Sequence, residues 1–416
     1  MTGGTEIQTL NTVRALVQGG HEVTVACYFE HTPYMIGQFE EAGAKVILFS
    51  PDGNRLGGWR IVPFLYKNLR SVVKAVRPDM VHVQYMAPGA MVILLLWQMR
   101  VKNIIATVHT AADIYKDLRL IHFIQRHCVR AWICITERAE HSFFGSSQLY
   151  SKDMVLGKRN HFTIYNALPF RQQVNCDDSQ VNAASPRLNA AEQQVNSDES
   201  QVKGDGGEVN QSQGDDSPAT PLRFTSSSAA INRSEAAPVL GLVSRLEHIK
   251  GMDLVVPAFA EVRKRFPDVQ LLVVGDGSLR ATMEQQAMAL GCDDAVTWVG
   301  RQPQEELSQY YSRMDIVLMP SRSEGFGLTA IEAMAHGCVV VASDIGGLPE
   351  VVRDGVCGLL HRSEDVKDMA EKICRLLGDY ELYSCLSRQC LAEAKKYSFE
   401  RYAAAVCDLY ERLIAT

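Results

Sequence analysis

Pro320-Ser321-Arg322-Ser323-Glu324-Gly325-Phe326-Gly327-Leu328 follows the apolar run Ile316–Met319 and continues as Thr329-Ala330-Ile331-Glu332-Ala333-Met334-Ala335. The order reads strand, glycine-rich turn, helix. A helix that starts this way offers unpaired N–H groups and the positive end of its dipole, which together favour a phosphate. Gly325 and Gly327 permit a ligand to approach the backbone. Glu324 stands in the turn and Glu332 eight residues on, in the helix, where it can reach a second part of the same ligand. A diphosphate flanked by hydroxyl-rich groups, such as a nucleotide sugar, fits that layout.

A glutamate near a helix start is also an ordinary dipole partner, so the residues that follow carry weight. They are Gly337, an apolar strand over 339–342, Ser343-Asp344-Ile345-Gly346-Gly347-Leu348-Pro349-Glu350-Val351-Val352, and Gly355-Val356-Cys357-Gly358. As a whole the stretch resembles the donor-binding half of the family-4 glycosyltransferases, whose pattern is Glu, seven residues, Glu. The resemblance implies a GT-B fold: α/β, with two Rossmann-like parallel-sheet domains facing across a cleft. It further implies a retaining hexosyltransferase that uses a nucleotide-diphosphate sugar.

Working outward, apolar strands alternate with helical patterns on both sides of this stretch, as expected for parallel sheets with crossover helices. In the first half, strands are expected over 22–27, 45–49, 80–84, 103–109, 131–136 and 162–165, after a helix over 6–18. The run 90–97 is too short to span a bilayer and reads as a buried strand or helix segment. Alternation resumes at Pro238 with strands over 239–244, 270–274 and 296–299, and helices over 252–265 and 304–312. Four segments result: an acceptor-side domain over 1–170, an insertion over 171–237, a donor-binding domain over 238–398, and a C-terminal helix over 399–416. The insertion is rich in Asn, Gln, Ser and Asp and repeats Gln173-Val174-Asn175, Gln180-Val181-Asn182 and Gln194-Val195-Asn196. It has too little apolar surface to offset its ordering entropy, so disorder is expected there.

The 416 residues are 46% apolar and 22% charged, ordinary values for two globular domains. Eleven cysteines without CxxC pairs read as reduced thiols, and with no secretory leader the expected location is cytoplasmic. The net charge of −6 divides into +6 over 1–170 (18 Lys and Arg, 12 Asp and Glu), −5 over 171–237 (5 and 10) and −7 over 238–416 (19 and 26). No basic run marks a nucleic-acid partner. A basic first half suits an anionic acceptor or the cytoplasmic face of a membrane. A helix over 116–130, with Lys116, Arg119, Arg126 and Arg130 on one face, reads first as a solvated face over a core, with peripheral membrane contact as the alternative.

Candidate chemistry gathers at strand ends. After the strand over 239–244 comes Ser244-Arg245-Leu246-Glu247-His248-Ile249-Lys250-Gly251. A guanidinium and an ammonium here can neutralise a diphosphate, and the resemblance assigns Arg245 and Lys250 to the donor phosphates. No Asp-x-Asp motif accompanies them, which agrees with a site using no metal and no further cofactor. The resemblance places Glu324 at the sugar hydroxyls, Glu332 at the ribose, and the amides of Gly325, Phe326, Gly327 and Leu328 at the phosphates. It gives His109, after the strand over 103–109, hydrogen bonding or proton handling at the transferred sugar. Asn166 is expected in the cleft, although Ala167 replaces the glycine usual after it. Val299, Gly300 and Arg301 are expected at the base, and Gly3 and Gly4 at the donor phosphates. Gly275-Asp276-Gly277-Ser278 lacks the third glycine of a dinucleotide fingerprint.

The family normally opens with a strand before that Gly-Gly loop, and here the loop is at Met1-Thr2-Gly3-Gly4. An inner strand is therefore missing from the expected first sheet, which should leave its two neighbours with unpaired backbone groups. Three readings stand. The first is a metal-independent glycosyltransferase acting on an acceptor sugar, either lipid-linked or a small molecule. The second is a nucleotide-sugar epimerase on a similar scaffold, and the third a truncated, non-catalytic nucleotide-sugar binding protein. The sugar, base, acceptor and oligomeric state have no signature in the residues.

Overall fold

The computed structural model describes residues 4–169 and 237–415, apart from 30, 55, 85, 113, 114, 116 and 158. Gly3, Lys116 and all but the last residue of the expected insertion lie outside the described residues. Twelve strands are assigned among the rest. They are β1 (Thr24–Cys27), β2 (Lys45–Leu48), β3 (Val81–Gln84), β4 (Ile104–Val108), β5 (Ala131–Cys134) and β6 (His161–Thr163) in the first half. The second half contributes β7 (Val239–Val243), β8 (Gln270–Val274), β9 (Val296–Gly300), β10 (Ile316–Met319), β11 (Val339–Ser343) and β12 (Gly358–His361).

In the second half these strands form one parallel sheet in the order β12-β11-β10-β7-β8-β9. The central strands read as continuous apolar runs because helices cover both faces. Leu240, Leu242, Val273, Ile316, Val339 and Val341 are all buried to 1% exposure or less. The sheet's strand order reverses between β7 and β10, which sets their carboxyl ends side by side at a crevice. That crevice is where the Ser244–Gly251 and Pro320–Leu328 loops emerge.

The first half carries two parallel sheets rather than one, β1-β2 and β3-β4-β5-β6. No described strand joins β1 to β3. A break was expected here, between the neighbours of the family's usual first strand. The helix Gly4–Gln18 packs into both groups, with Leu16 in the core under β4 to β6 and Leu10 and Val13 in the core beside β1 and β2.

Several expected boundaries shift. Strands end earlier than the apolar runs because pairing stops where the neighbouring strand stops, leaving Phe49, His109, Thr136 and Ser244 just beyond the ladders. The helix expected over 252–265 divides into a 3₁₀ turn, Met252–Leu254, and a helix, Val255–Arg263. That over 304–312 divides into Gln304–Glu306 and Leu307–Tyr311. The run 90–97 lies in the helix Met86–Gln98, with Val92, Ile93, Leu95 and Leu96 buried. The helix expected over 116–130 is shorter, Arg119–His127. Arg130 leaves its supposed basic face and donates from Nη1 to Asn103 Oδ1 (3.0 Å) and to the Leu413 carbonyl (3.2 Å). Among the described residues, no helix is long and apolar enough to cross a membrane.

The C-terminal helix, Phe399–Ile414, crosses back to the first half. Tyr402 Oη lies 2.7 Å from Thr12 Oγ1, and Tyr150 donates to Asp408 Oδ2 at 2.6 Å. Leu409 and Leu413 bury against β5 and β6.

Candidate active site

Strand β10 delivers Glu324 through the turn, and the helix Leu328–Ala335 begins at Gly327, whose φ of 104° only glycine adopts readily. Of its first-turn amides, that of Ala330 bonds the Gly327 carbonyl at 2.9 Å, and those of Leu328 and Thr329 precede any carbonyl of their own helix. Leu328 and Thr329 line a cleft between the two halves. Gly4, His109, Asn166, Arg245, Lys250, Glu324, Gly325, Phe326, Gly327, Leu328 and Glu332 all line it. Residues as far apart in sequence as Gly4 and Glu332 thus meet at one place.

Each has a distinct environment. Lys250 Nζ donates to Glu324 Oε2 at 2.7 Å, with both side chains about one-fifth exposed. Glu332 is buried and takes two hydrogen bonds, from Gln304 Nε2 (2.7 Å) and Tyr311 Oη (2.8 Å). Burial pushes its carboxyl up to about 7, against the pull of those two donors. His109, buried at the end of β4, meets Gln84 Oε1 through Nε2 at 3.1 Å. Burial holds its imidazole down at about 4, so the ring is neutral at pH 7 and works as a hydrogen-bonding group. Behind it His82 bridges Thr107 Oγ1 (2.6 Å) and Tyr410 Oη (2.5 Å), and is held at about 3 by burial and by its proximity to His109.

Close backbone packing sets the two halves against each other. A Cβ on Gly325 would stand 2.2 Å from the His109 carbonyl oxygen, so the turn touches the end of β4 only because residue 325 has no side chain. Phe326 is 2% exposed, with its ring 6.2 Å from Tyr165 and 5.6 Å from Tyr397. Its ring is part of the packing between the halves, while the residue also lines the cleft, where its amide is expected at the phosphates.

The expected base site is looser. Val299 and Gly300 do not line the cleft, and Arg301 lies in an adjoining recess with Arg245, Asp276 and Gly277. Gly277 packs on the backbone of Leu246, which bonds the Asp276 carbonyl at 3.0 Å. This joins the Gly275-Asp276-Gly277 turn to the phosphate loop.

Four further residues support the site without any sequence signal. Gln304 and Tyr311 hold Glu332, and Gln84 holds His109. Arg322, inside the stretch that opens the analysis, binds both oxygens of Asp253 (2.6 and 2.8 Å), the Glu364 carboxylate and the His248 carbonyl (2.6 Å). Those bonds keep its guanidinium charged and depress the Asp253 carboxyl. They also tie the loop carrying Lys250 to the loop carrying Glu324.

Comparison with known proteins gives a consistent picture. Residues 2–144 match the profile of the Glycosyltransferase Family 4, and 224–391 that of the Glycosyl transferases group 1. The chain is 35% identical over 189 residues to a D-inositol 3-phosphate glycosyltransferase of Nocardia farcinica, covering 44% of this chain and 42% of that protein. It is 36% identical over 185 residues to one of Corynebacterium urealyticum, covering 43% and 44%. The match thus spans less than half the length of these relatives. Among solved structures, Anabaena Alr3699/HepE in complex with UDP and glucose superposes with a TM-score of 0.67 at 17% identity, over 99% of this chain and 96% of that one. Sucrose-phosphate synthase from Thermosynechococcus elongatus gives 0.66 at 21%, over 100% and 94%.

Proposed function

Starting from a chain that belongs to the family-4 type of GT-B glycosyltransferases, we propose that it transfers a hexosyl group from a nucleoside-diphosphate sugar to an acceptor hydroxyl, with retention of configuration. The observation that carries this reading is the convergence of Arg245, Lys250, Glu324, Glu332 and His109 on one cleft between two parallel-sheet halves.

The roles follow from the chemistry. The leaving group is a nucleoside diphosphate, so the barrier falls with charge stabilisation at the β-phosphate. Arg245, Lys250 and the first-turn amides of Leu328–Ala335 supply that charge, and no resident metal is required by this reading. Without donor, Lys250 and Glu324 neutralise each other. An arriving diphosphate draws the ammonium to itself and frees the Glu324 carboxylate for the sugar hydroxyls. Glu332 accepts from the ribose hydroxyls. Neutral His109 hydrogen-bonds the sugar at the reacting end.

The test is a thermal-shift series with UDP, ADP and GDP and their glucose conjugates. One nucleotide should raise the melting temperature, and Arg245→Ala and Lys250→Ala should each weaken its binding at least about tenfold, as for a lost charge-assisted bond. No shift with any nucleotide would sink the reading. Donor that is interconverted to another sugar nucleotide in the absence of acceptor would favour an epimerase.

A further inference from the structure

Glu350 belongs to the second half, on the short helix Leu348–Val351, yet its carboxylate is bonded to the first half. Oε1 accepts from the Glu137 amide at 2.7 Å and Oε2 from the Arg138 amide at 3.0 Å. These are the first two residues of the helix Glu137–Phe144 that follows β5. The helix caps itself only in part: Thr136 Oγ1 takes the Ala139 amide at 3.1 Å. Its two remaining free amides are the ones Glu350 takes, at the positive end of the dipole. The Tyr165 hydroxyl, which donates to Glu137 Oε2 at 3.2 Å, sits in the same cluster.

On its own side, Glu350 stands directly behind the donor turn. Its amide bonds the Gly347 carbonyl at 3.2 Å, and the Gly347 amide bonds the Glu324 carbonyl at 3.0 Å. A Cβ on Gly346 would stand 2.0 Å from the Glu324 carbonyl oxygen, and one on Gly347 would stand 2.4 Å from that of Gly325. Gly325 in turn lies on the His109 carbonyl. Backbone contact is therefore continuous from Glu350 through Gly346-Gly347 and Glu324-Gly325 to the end of β4. Both ends of this stack rest on the first half, at the adjacent strands β4 and β5.

We propose that Glu350 is the latch between the halves, a positioning residue that holds the Glu324–Gly325 turn against the strand end bearing His109. It touches neither donor nor acceptor. Its two bonds set the closed arrangement in which Glu324 and His109 face one sugar. The part of this assignment that concerns sugar transfer rests on the function proposed above, while the latch itself rests on the geometry alone.

The experiment compares the wild-type full chain with Glu350→Ala and Glu350→Gln by small-angle scattering without ligand, by UDP titration, and by UDP release from UDP-glucose. Glu350→Ala should enlarge the radius of gyration, and Glu350→Gln, which keeps one acceptor oxygen, should fall between. UDP affinity should change by less than about threefold, because Arg245, Lys250 and Glu332 all lie on the second half, whereas turnover should drop at least about tenfold. An unchanged scattering profile for a folded Glu350→Ala protein overturns the latch. So does loss of UDP affinity in step with turnover, the mark of a merely structural residue. Failure of wild-type chain to bind UDP would count against the nucleotide assignment and leave the scattering result decisive for the latch.

Discussion

Glu332 is half-protonated near neutrality, and that has a consequence for donor binding. Its carboxyl lies near 7, raised by burial. Ribose hydroxyls donate hydrogen bonds, so the ionised carboxylate is the form that accepts them best. Binding then pulls the carboxyl down, and nucleotide affinity should rise with pH from about 5 to about 7 and level off above, a slope of up to tenfold per pH unit. Glu332→Gln should abolish that part of the slope and leave only the part due to the ligand's own phosphate. Titration calorimetry from pH 5 to 8 on both proteins measures it, and an equal slope in the variant would count against Glu332 at the ribose. At this scale the sequence was legible where the partners are local. Glu324 and Glu332 share one turn and one helix, so their spacing carries meaning. Gln304 and Tyr311 lie 28 and 21 residues before Glu332, and Glu350 lies 213 residues past Glu137. Spacing of that kind is fixed by tertiary packing alone.

Helices and strands were legible as types but not as allegiances. The C-terminal helix Phe399–Ile414 reads as a segment of its own with no partner assigned, and the structure packs it on the first half. Periodicity identifies an apolar face without saying what will cover it. Here Val406, Leu409, Tyr410 and Leu413 are at most 6% exposed, in one core with Ile105, Ala131, Ile133 and Phe162. Deleting the buried side chain in Leu409→Ala should therefore cost about 2–5 kcal/mol. The loss should appear first in amide exchange across β4 to β6, with β7 to β11 protected as before. If the second sheet loosens first, the helix does not anchor the first half. The divided first sheet has a similar lesson. The alternation of strands and helices announces a parallel sheet, while the separation of β1-β2 from β3-β6 was expected only from the missing family strand.

For the molecule as a whole, acid stability is set by a few buried groups with opposing signs. His82 and His109 are held at about 3 and about 4, below the ordinary histidine value of 6.5, so the unfolded chain binds protons that the folded chain refuses. Their contribution is present above about 6.5 and is lost as pH falls. Glu332, raised to about 7, works the other way: the folded chain keeps a proton that the unfolded chain releases above 4.5, so stability is lost as pH rises through that window. Between about 4.5 and 6.5 His82 and His109 take up protons on unfolding and Glu332 gives up its own, while His336 and His361, also held down by burial, add to the uptake. The net uptake makes stability fall on acidification, by about 1.4 kcal/mol per pH unit for each proton. Replacing His82 removes one of these protons. Its neighbours Tyr410, Thr107 and Gln84 carry no charge near neutrality, and His109, the titratable group it senses, stays neutral down to about 4, so the variant reads the histidine's own titration in this window. His82→Asn should accordingly reduce the slope by about 1.4 kcal/mol per pH unit across this window, whatever its cost at pH 7. Urea unfolding at half-unit intervals from pH 4.5 to 7 gives both slopes. A variant that keeps the wild-type slope would mean that His82 is already protonated in the folded protein, and that the polar file from Tyr410 to His109 carries a charge.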